Sequence, residues 1–198
     1  MKIRTLLLLA CFFLVLSELL APRHHRHIDW SADDIDLLTH GAIDLNIPDE
    51  ISNTGSECYS RIEGSAVGML APDGFAGSVD FHGFDKNKDT TINVVEDHKV
   101  GFTAFRRTIA EQLALLTKYA QQDVTLLYSK EFKFNGYEAT ALYLYDKASH
   151  LTYIFMAFGD EHFSVTMRGT CHADDLSDRN AILSAMLTAS YDRGNERG

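Results

Sequence analysis

Apolar and polar positions are patterned most clearly between Tyr137 and Cys171, where the chain reads YEATALYLYDKASHLTYIFMAFGDEHFSVTMRGTC. Two short polar breaks, Asp146-Lys147-Ala148-Ser149 and Gly159-Asp160-Glu161, divide it into three apolar-rich runs. Gly, Asp and Ser at such breaks let a chain reverse between strands. After the second break, Phe163, Val165 and Met167 alternate with Ser164, Thr166 and Arg168. That period of two predicts a strand with one dry and one wet face. The run before it offers apolar groups to both faces through Leu151, Tyr153, Ile154, Phe155, Met156 and Phe158. Such a strand belongs in the middle of a sheet with something packed on each side.

The flanks supply the cover. Phe102, Phe105, Ile109, Leu113, Leu116 and Ala120 fall at helical spacing, which predicts an amphipathic helix of about five turns lying on the sheet. Upstream, Arg61 to Leu70 reads as a strand closed by the turn Ala71-Pro72-Asp73-Gly74. Val79, Phe81 and Phe84 read as a short strand, joined through the polar stretch Asp85 to Thr90 to a second one at Thr91–Val95. Together these make a hairpin. Val124 to Tyr128 and Lys130 to Phe134 are strand-like, and Asn135-Gly136 is a hairpin turn into the central stretch. Past Cys171, Asp174 or Ser177 can cap a last helix carrying Leu176, Leu183, Met186, Leu187 and Tyr191. The expected fold class is α+β: an antiparallel β-sheet covered by two main helices.

The chain divides into four parts on this reading. Lys2 and Arg4 precede the apolar run Leu6 to Leu16, and Ser17 is a small residue at a suitable cleavage point, so residues 1–17 read as a secretory signal. Leu8-Leu9-Ala10-Cys11 is similar to a lipoprotein box, although the apolar run before Cys11 is short and the chain stays apolar after it. Residues 18–57 form an N-terminal linker holding the His-rich run Arg23 to His27 and a weak helical pattern from Trp30 to Ile47. The α+β domain occupies 58–192, and 193–198 are a fraying tail. A cleaved signal leaves no stable transmembrane span and places the protein in the periplasm or outside the cell.

Acidic residues outnumber basic ones 28 to 18, for a formal net charge of −10. That balance argues against nucleic acid as a partner. Of the three cysteines, Cys11 lies in the signal, which leaves Cys58 and Cys171. In an oxidising compartment they are a disulfide candidate, and closing so long a loop would restrict the unfolded chain by about 4–5 kcal/mol. The alternative is two buried thiols.

Pro72-Asp73-Gly74-Phe75, Phe81-His82-Gly83-Phe84, Ile92-Asn93-Val94, Leu126-Leu127-Tyr128-Ser129, Asn135-Gly136 and Phe158-Gly159-Asp160-Glu161 together resemble the PsbP/DcrB-like group of exported domains. The resemblance covers roughly Gly64 to Tyr191. It implies an α/β/α sandwich. Members of the group diverge in role: an extrinsic photosystem subunit, a Ran-binding nuclear relative, and an envelope lipoprotein needed for phage uptake. No common catalytic set comes with the resemblance, and this chain departs from the envelope members in lacking a convincing lipidation cysteine. Its matching motifs are turns and strand cores, which speak to fold rather than activity.

Three groups of residues can carry chemistry. Asp85, Asn87, Asp89, Thr91 and Asn93 alternate ahead of Glu96, an oxygen-rich spacing similar to a calcium loop. Thr90 stands where such a loop needs Gly, however, and the hairpin reading explains the same letters. Histidines beside acids, Asp80/His82, Glu96/His98, Asp160/Glu161/His162 and His172/Asp174/Asp175, could hold zinc if the fold gathered them. The aromatic run Tyr143, Tyr145, Tyr153, Phe155, Phe158 and Phe163 fits core packing better than a ligand groove. No nucleophile elbow, phosphate loop, dinucleotide glycine pattern or zinc-protease helix is present. The chain is therefore expected to be a non-enzymatic exported protein that needs no cofactor and acts through protein partners in the cell envelope. The alternative is a small-ligand, calcium- or zinc-binding module built on Asp85 to Glu96.

Overall fold

Asn135 and Gly136 take left-handed backbone angles, φ 51° and 82°, and so make the turn that the twist of a tight hairpin requires. In the computed structural model, which describes residues 47–53, 60–109 and 124–192, this turn starts the longest ladder of the molecule. Residues 1–46, 54–59 with Cys58 among them, 110–123 and 193–198 lie outside the described residues, and with them the expected signal, most of the expected linker, the second half of the expected five-turn helix and the expected tail. In chain order the strands are β1 (Glu50–Ile51), β2 (Ser60–Arg61), β3 (Val67–Met69), β4 (Ala76–Gly77), β5 (Gly83–Asn87) and β6 (Thr90–Asp97). The described part of a helix, α1, spans 102–109. Then come β7 (Val124–Phe134), β8 (Tyr137–Asp146), β9 (Leu151–Gly159), β10 (Ser164–His172), the helix α2 (Leu176–Leu187) and β11 (Ser190–Tyr191). An eight-stranded sheet runs β1-β7-β8-β9-β10-β6-β5-β4, and a small sheet runs β11-β3-β2.

The three central strands form as the pattern predicts, and β9 lies inside the sheet. Its neighbours fix which side chains share a face. Ala141, Met156, Met167 and Val94 stand in one row across β8, β9, β10 and β6. They join a core with Phe134, Phe158, Phe163 and, from α2, Ile182, Leu183 and Met186. Each large apolar side chain removed from water there stabilises by about 1.5–3 kcal/mol. Gly169 lets α2 come close, since a Cβ there would sit 2.2 Å from Ile182 Cγ2. On the opposite face, Phe102, Phe105 and Ile109 of α1 pack with Leu142 and Ala157. The fold is thus mixed α+β, a large sheet with a helix on each face.

Several local expectations change. The stretch Arg61 to Leu70 is not one strand but the hairpin β2–β3, because Gly64 at φ +74° turns it and Ser65 N–H donates to Ile62 O at 3.1 Å. Val79 is 97% exposed in an irregular stretch, and the strand begins only at Gly83. Gly83 adopts φ +149°, and a Cβ there would lie 1.9 Å from the Ile92 carbonyl oxygen, so only glycine fits. Val124 to Phe134 is one strand with a register shift between Leu126 and Tyr128. The cap of α2 is Asp175, whose carboxylate accepts from Asp178 N–H at 2.9 Å. Tyr191 is not on that helix: the chain leaves α2 after Leu187 and pairs with β3 in β11. Upstream of 58, Ile47 is buried in the core and β1 pairs in parallel with Lys133 and Phe134.

Candidate functional site

The most chemically distinctive side chains are internal. Arg179 of α2 is wholly buried, and its Nη1 donates to Tyr143 Oη at 3.1 Å, with the guanidinium carbon 5.7 Å from the Tyr143 ring centre. Burial of a guanidinium is tolerated only where hydrogen bonds and an aromatic face replace water. Behind Tyr143, Thr152 Oγ1 lies 3.2 Å from Cys171 Sγ. Burial pushes the Tyr143 hydroxyl up, the Arg179 hydrogen bond acting against it. Burial also pushes the Cys171 thiol up to about 11, so the free thiol stays protonated near neutral pH. The cluster is closed off from solvent. Over its edge, Lys86 of β5 reaches both carboxylate oxygens of Asp178 at 2.8 and 2.9 Å.

The surface offers a shallower arrangement. An open cavity of about 460 Å³ is lined by Arg61, Ile62, Glu63, Gly64, Ser65, Ala66 and Asp192. Beside it Glu96 of β6 fastens the β2–β3 turn to the large sheet: Oε1 accepts from Ser65 Oγ and, at 2.9 Å, from Ala66 N–H. Its Oε2 faces His98 Nε2 at 3.6 Å, and His98 Nδ1 lies 3.5 Å from Tyr191 Oη. His82 Nδ1 is 2.8 Å from the Glu63 carbonyl oxygen. Tyr191 stacks on Phe163 with ring centres 4.6 Å apart.

The fold scatters most of the acid–histidine pairs found in the sequence. Glu96 and His98 meet, as described, and His82 joins the same side of the molecule through Glu63. Asp160 instead caps its own turn, accepting from His162 and Phe163 N–H, while Glu161 and His162 form an exposed pair. His172 faces Asp89 at 3.8 Å. Among the described residues no group of three His, Cys, Asp or Glu is placed to hold a metal ion. Asp85 to Glu96 is a hairpin: Asp85 stands opposite Thr91, and Glu96 is in register with Val165 at the far end of β6. Those carboxylates point to different places along an extended ladder, not around one centre. Tyr143, Tyr145, Tyr153, Phe158 and Phe163 are core residues, and Phe155 packs against the α1 cluster. Cys171 is buried, and Cys58, its proposed disulfide partner, lies outside the described residues.

Sequence reasoning missed Arg179, and it missed Asn53, whose Nδ2 donates to the Leu187 and Ala189 carbonyls at 2.8 and 3.0 Å. Arg179 had a signal: it stands three, four and seven residues before Ile182, Leu183 and Met186, on the apolar stripe of α2. Asn53 had none, being a polar residue in a polar stretch.

No helix among the described residues is long and apolar enough to cross a membrane. No family model matches the chain, and no curated protein matches it. Among solved structures the chain is similar to the cyanobacterial PsbP (CyanoP) from Synechocystis sp. PCC 6803, at 11% identity and a TM-score of 0.49 over 72% of this chain and 98% of that one. It is also similar to a protein from Bacteroides thetaiotaomicron VPI-5482, at 13% identity and a TM-score of 0.42 over 66% of this chain and 46% of that one. Neither likeness carries a role for any residue of this chain.

Proposed function

We propose that this chain is a non-enzymatic exported domain, periplasmic or secreted, that works through contacts with a protein of the cell envelope. The observation that carries the reading is a sheet face that the described residues cover over only half its width. Over β8 and β9 that face is closed by Phe102, Phe105 and Ile109. Along β6 and β10 the same face presents Val95, 47% exposed, in register with half-buried Thr166, and beside it half-buried Asn93 opposite half-buried Arg168. Val95 among the hydrogen-bonding Asn93 and Thr166 and the charged Arg168 offers one apolar contact point of the kind a protein partner can use. The enclosed state of the Arg179–Tyr143–Cys171 cluster supports the same reading, since a reactive centre must meet its substrate. The leader-like residues 1–17 support export.

The test is crosslinking and capture from envelope extract with the chain beginning at Glu18, alongside Val95→Asp. A discrete partner captured by the unaltered chain and lost in the variant, with both melting alike, is the expected result. Equal capture by both chains, or none by either, removes the reading.

A further inference from the structure

We propose that residues 47–53 and the small β11-β3-β2 sheet are two ends of one conformational device, coupled through an asparagine clasp at the end of α2. Residues 47–53 form a strap along the edge of β7. Its ladder is only Glu50 and Ile51, in parallel with Lys133 and Phe134, supplemented by Lys133 N–H to Asp49 O at 2.8 Å and Asn135 N–H to Ile51 O at 2.7 Å. Lys130 adds a donor to the Ile47 carbonyl and an ion pair to Asp49 at 2.8 Å. The small sheet is equally slight: β2–β3 and β3–β11 each pair over two positions. Ladders this short do not persist in water unaided.

The clasp is where they meet. Asn53 N–H donates to Asn135 Oδ1 at 2.6 Å, and Asn53 Nδ2 donates to Leu187 O at 2.8 Å and Ala189 O at 3.0 Å. Asn135 Nδ2 donates to the same Ala189 carbonyl at 3.0 Å. The orientation of the Asn135 amide follows from its partners, because turning it over would set its oxygen against a carbonyl and its NH₂ against an N–H. These carbonyls lie at and just past the end of α2, where helical partners run out. The residues they belong to lead directly into β11 and the cavity rim. Thr188 Oγ1 accepts from Leu70 N–H at 3.0 Å, and Asp192 N–H donates to Ala66 O at 3.0 Å. Strap, hairpin turn, helix end and small sheet therefore share one set of bonds.

The central ladders do not depend on that set. β7–β8, β8–β9 and β9–β10 pair over nearly their whole lengths and carry most of the core, to which the strap adds Ile47 and the small sheet Ile62, Val67 and Met69. The strap and the small sheet can then open together while β8 to β10 stay closed, as a low-stability cooperative unit. Whatever lifts the strap from β7 loosens the cavity rim at Asp192 and Arg61 to Ala66, and a ligand seated in that cavity tightens the strap.

Hydrogen exchange on the full chain tests this, comparing it with Asn53→Ala and Asn135→Gly. Glycine keeps the left-handed turn at 135, where φ is 51°, and removes only the amide. Both variants should speed exchange at Ile62, whose N–H donates to Val67 O, and at Asp192, whose N–H donates to Ala66 O, by about tenfold or more, with Ala141, Met156 and Met167 unchanged. The reciprocal arm uses Glu96→Ala, which frees the β2–β3 turn and should speed exchange at Lys133 and Asn135, whose N–H groups hold the strap. Acceleration confined to 47–53, acceleration spread through β8 to β10, or an unmoved Lys133 in Glu96→Ala each overturns the coupling.

Discussion

The meander β8–β9–β10 and the small sheet β2–β3–β11 are both antiparallel, yet they are held together differently. The meander is joined by tight turns between neighbouring strands, and its side chains make the core. The small sheet joins residues from opposite ends of the domain, Ser190 with Gly68 and Tyr191 with Val67. Besides burying Ile62, Val67 and Met69, it is held by polar side chains: Glu96 to Ser65 and Ala66, Thr188 to Leu70, and, within the sheet, Ser190 to Gly68. The first is stabilised by apolar area and local closure. The second adds Ile62, Val67 and Met69 to that same core but closes through residues distant in sequence, so damage to it should reach the strap at 47–53 and leave the meander closed.

The largest expected effect is on the meander. Phe158→Ala removes a fully buried ring that meets Phe134 at 5.0 Å and Tyr137 at 6.1 Å between ring centres. It should cost about 3–5 kcal/mol, read as one cooperative shift of the denaturation midpoint by every probe. If Phe158→Ala left the denaturation midpoint of the meander in place, the contrast would fail.

The next effect is alkaline. Between its ordinary value of 9.0 and about 11, Cys171 keeps its proton in the folded chain and loses it in the unfolded one. The native state then binds more protons, so stability is intact below pH 9 and falls as pH rises towards 11. The loss should total about 3 kcal/mol, and buried Tyr143, also pushed up, acts in the same direction. Cys171→Ala should remove most of the slope. A bond between Cys58 and Cys171 predicts a profile with no Cys171 contribution, so the same titration with and without reductant tests that pairing.

Smaller and more local is Glu96→Ala, which strips the acceptor from Ser65 and Ala66 and should cost about 1–3 kcal/mol. The loss should be read in the exchange of β2–β3 amides ahead of global unfolding. The smallest expected effect is that of metals. With Asp85 and Glu96 at opposite ends of the β6 ladder, calcium or zinc after EDTA should leave the melting temperature in place. A calcium-dependent rise lost in Asp85→Ala would restore the ligand-module reading.

Legibility in the sequence followed the same division. The three central strands, both their turns and the Asn135-Gly136 hairpin were readable because each is specified by neighbours in the chain. The β2–β3 hairpin was not, since β2 is two polar residues, Ser60 and Arg61, with no apolar alternation to mark a strand before Glu63-Gly64-Ser65. β11 was hidden by Tyr191, which fits a helical stripe as well as a strand. Of the candidate site, the pairing of Glu96 with His98 was visible as a histidine close to an acid in the chain, whereas Ser65 as the partner of Glu96 was not.

The sequence by itself determined the sheet's central order of strands, their dry faces, and an amphipathic helix that needs such a sheet. Period and turn chemistry are local, and burial rewards them wherever the rest of the chain lies. Only the tertiary structure decided that Arg179 goes inside against Tyr143, that Glu96 spends its carboxylate on the β2–β3 turn, and that Asn53 closes on Ala189. Each joins residues tens of positions apart through a polar group that water would serve equally well, and only the packed fold removes the water.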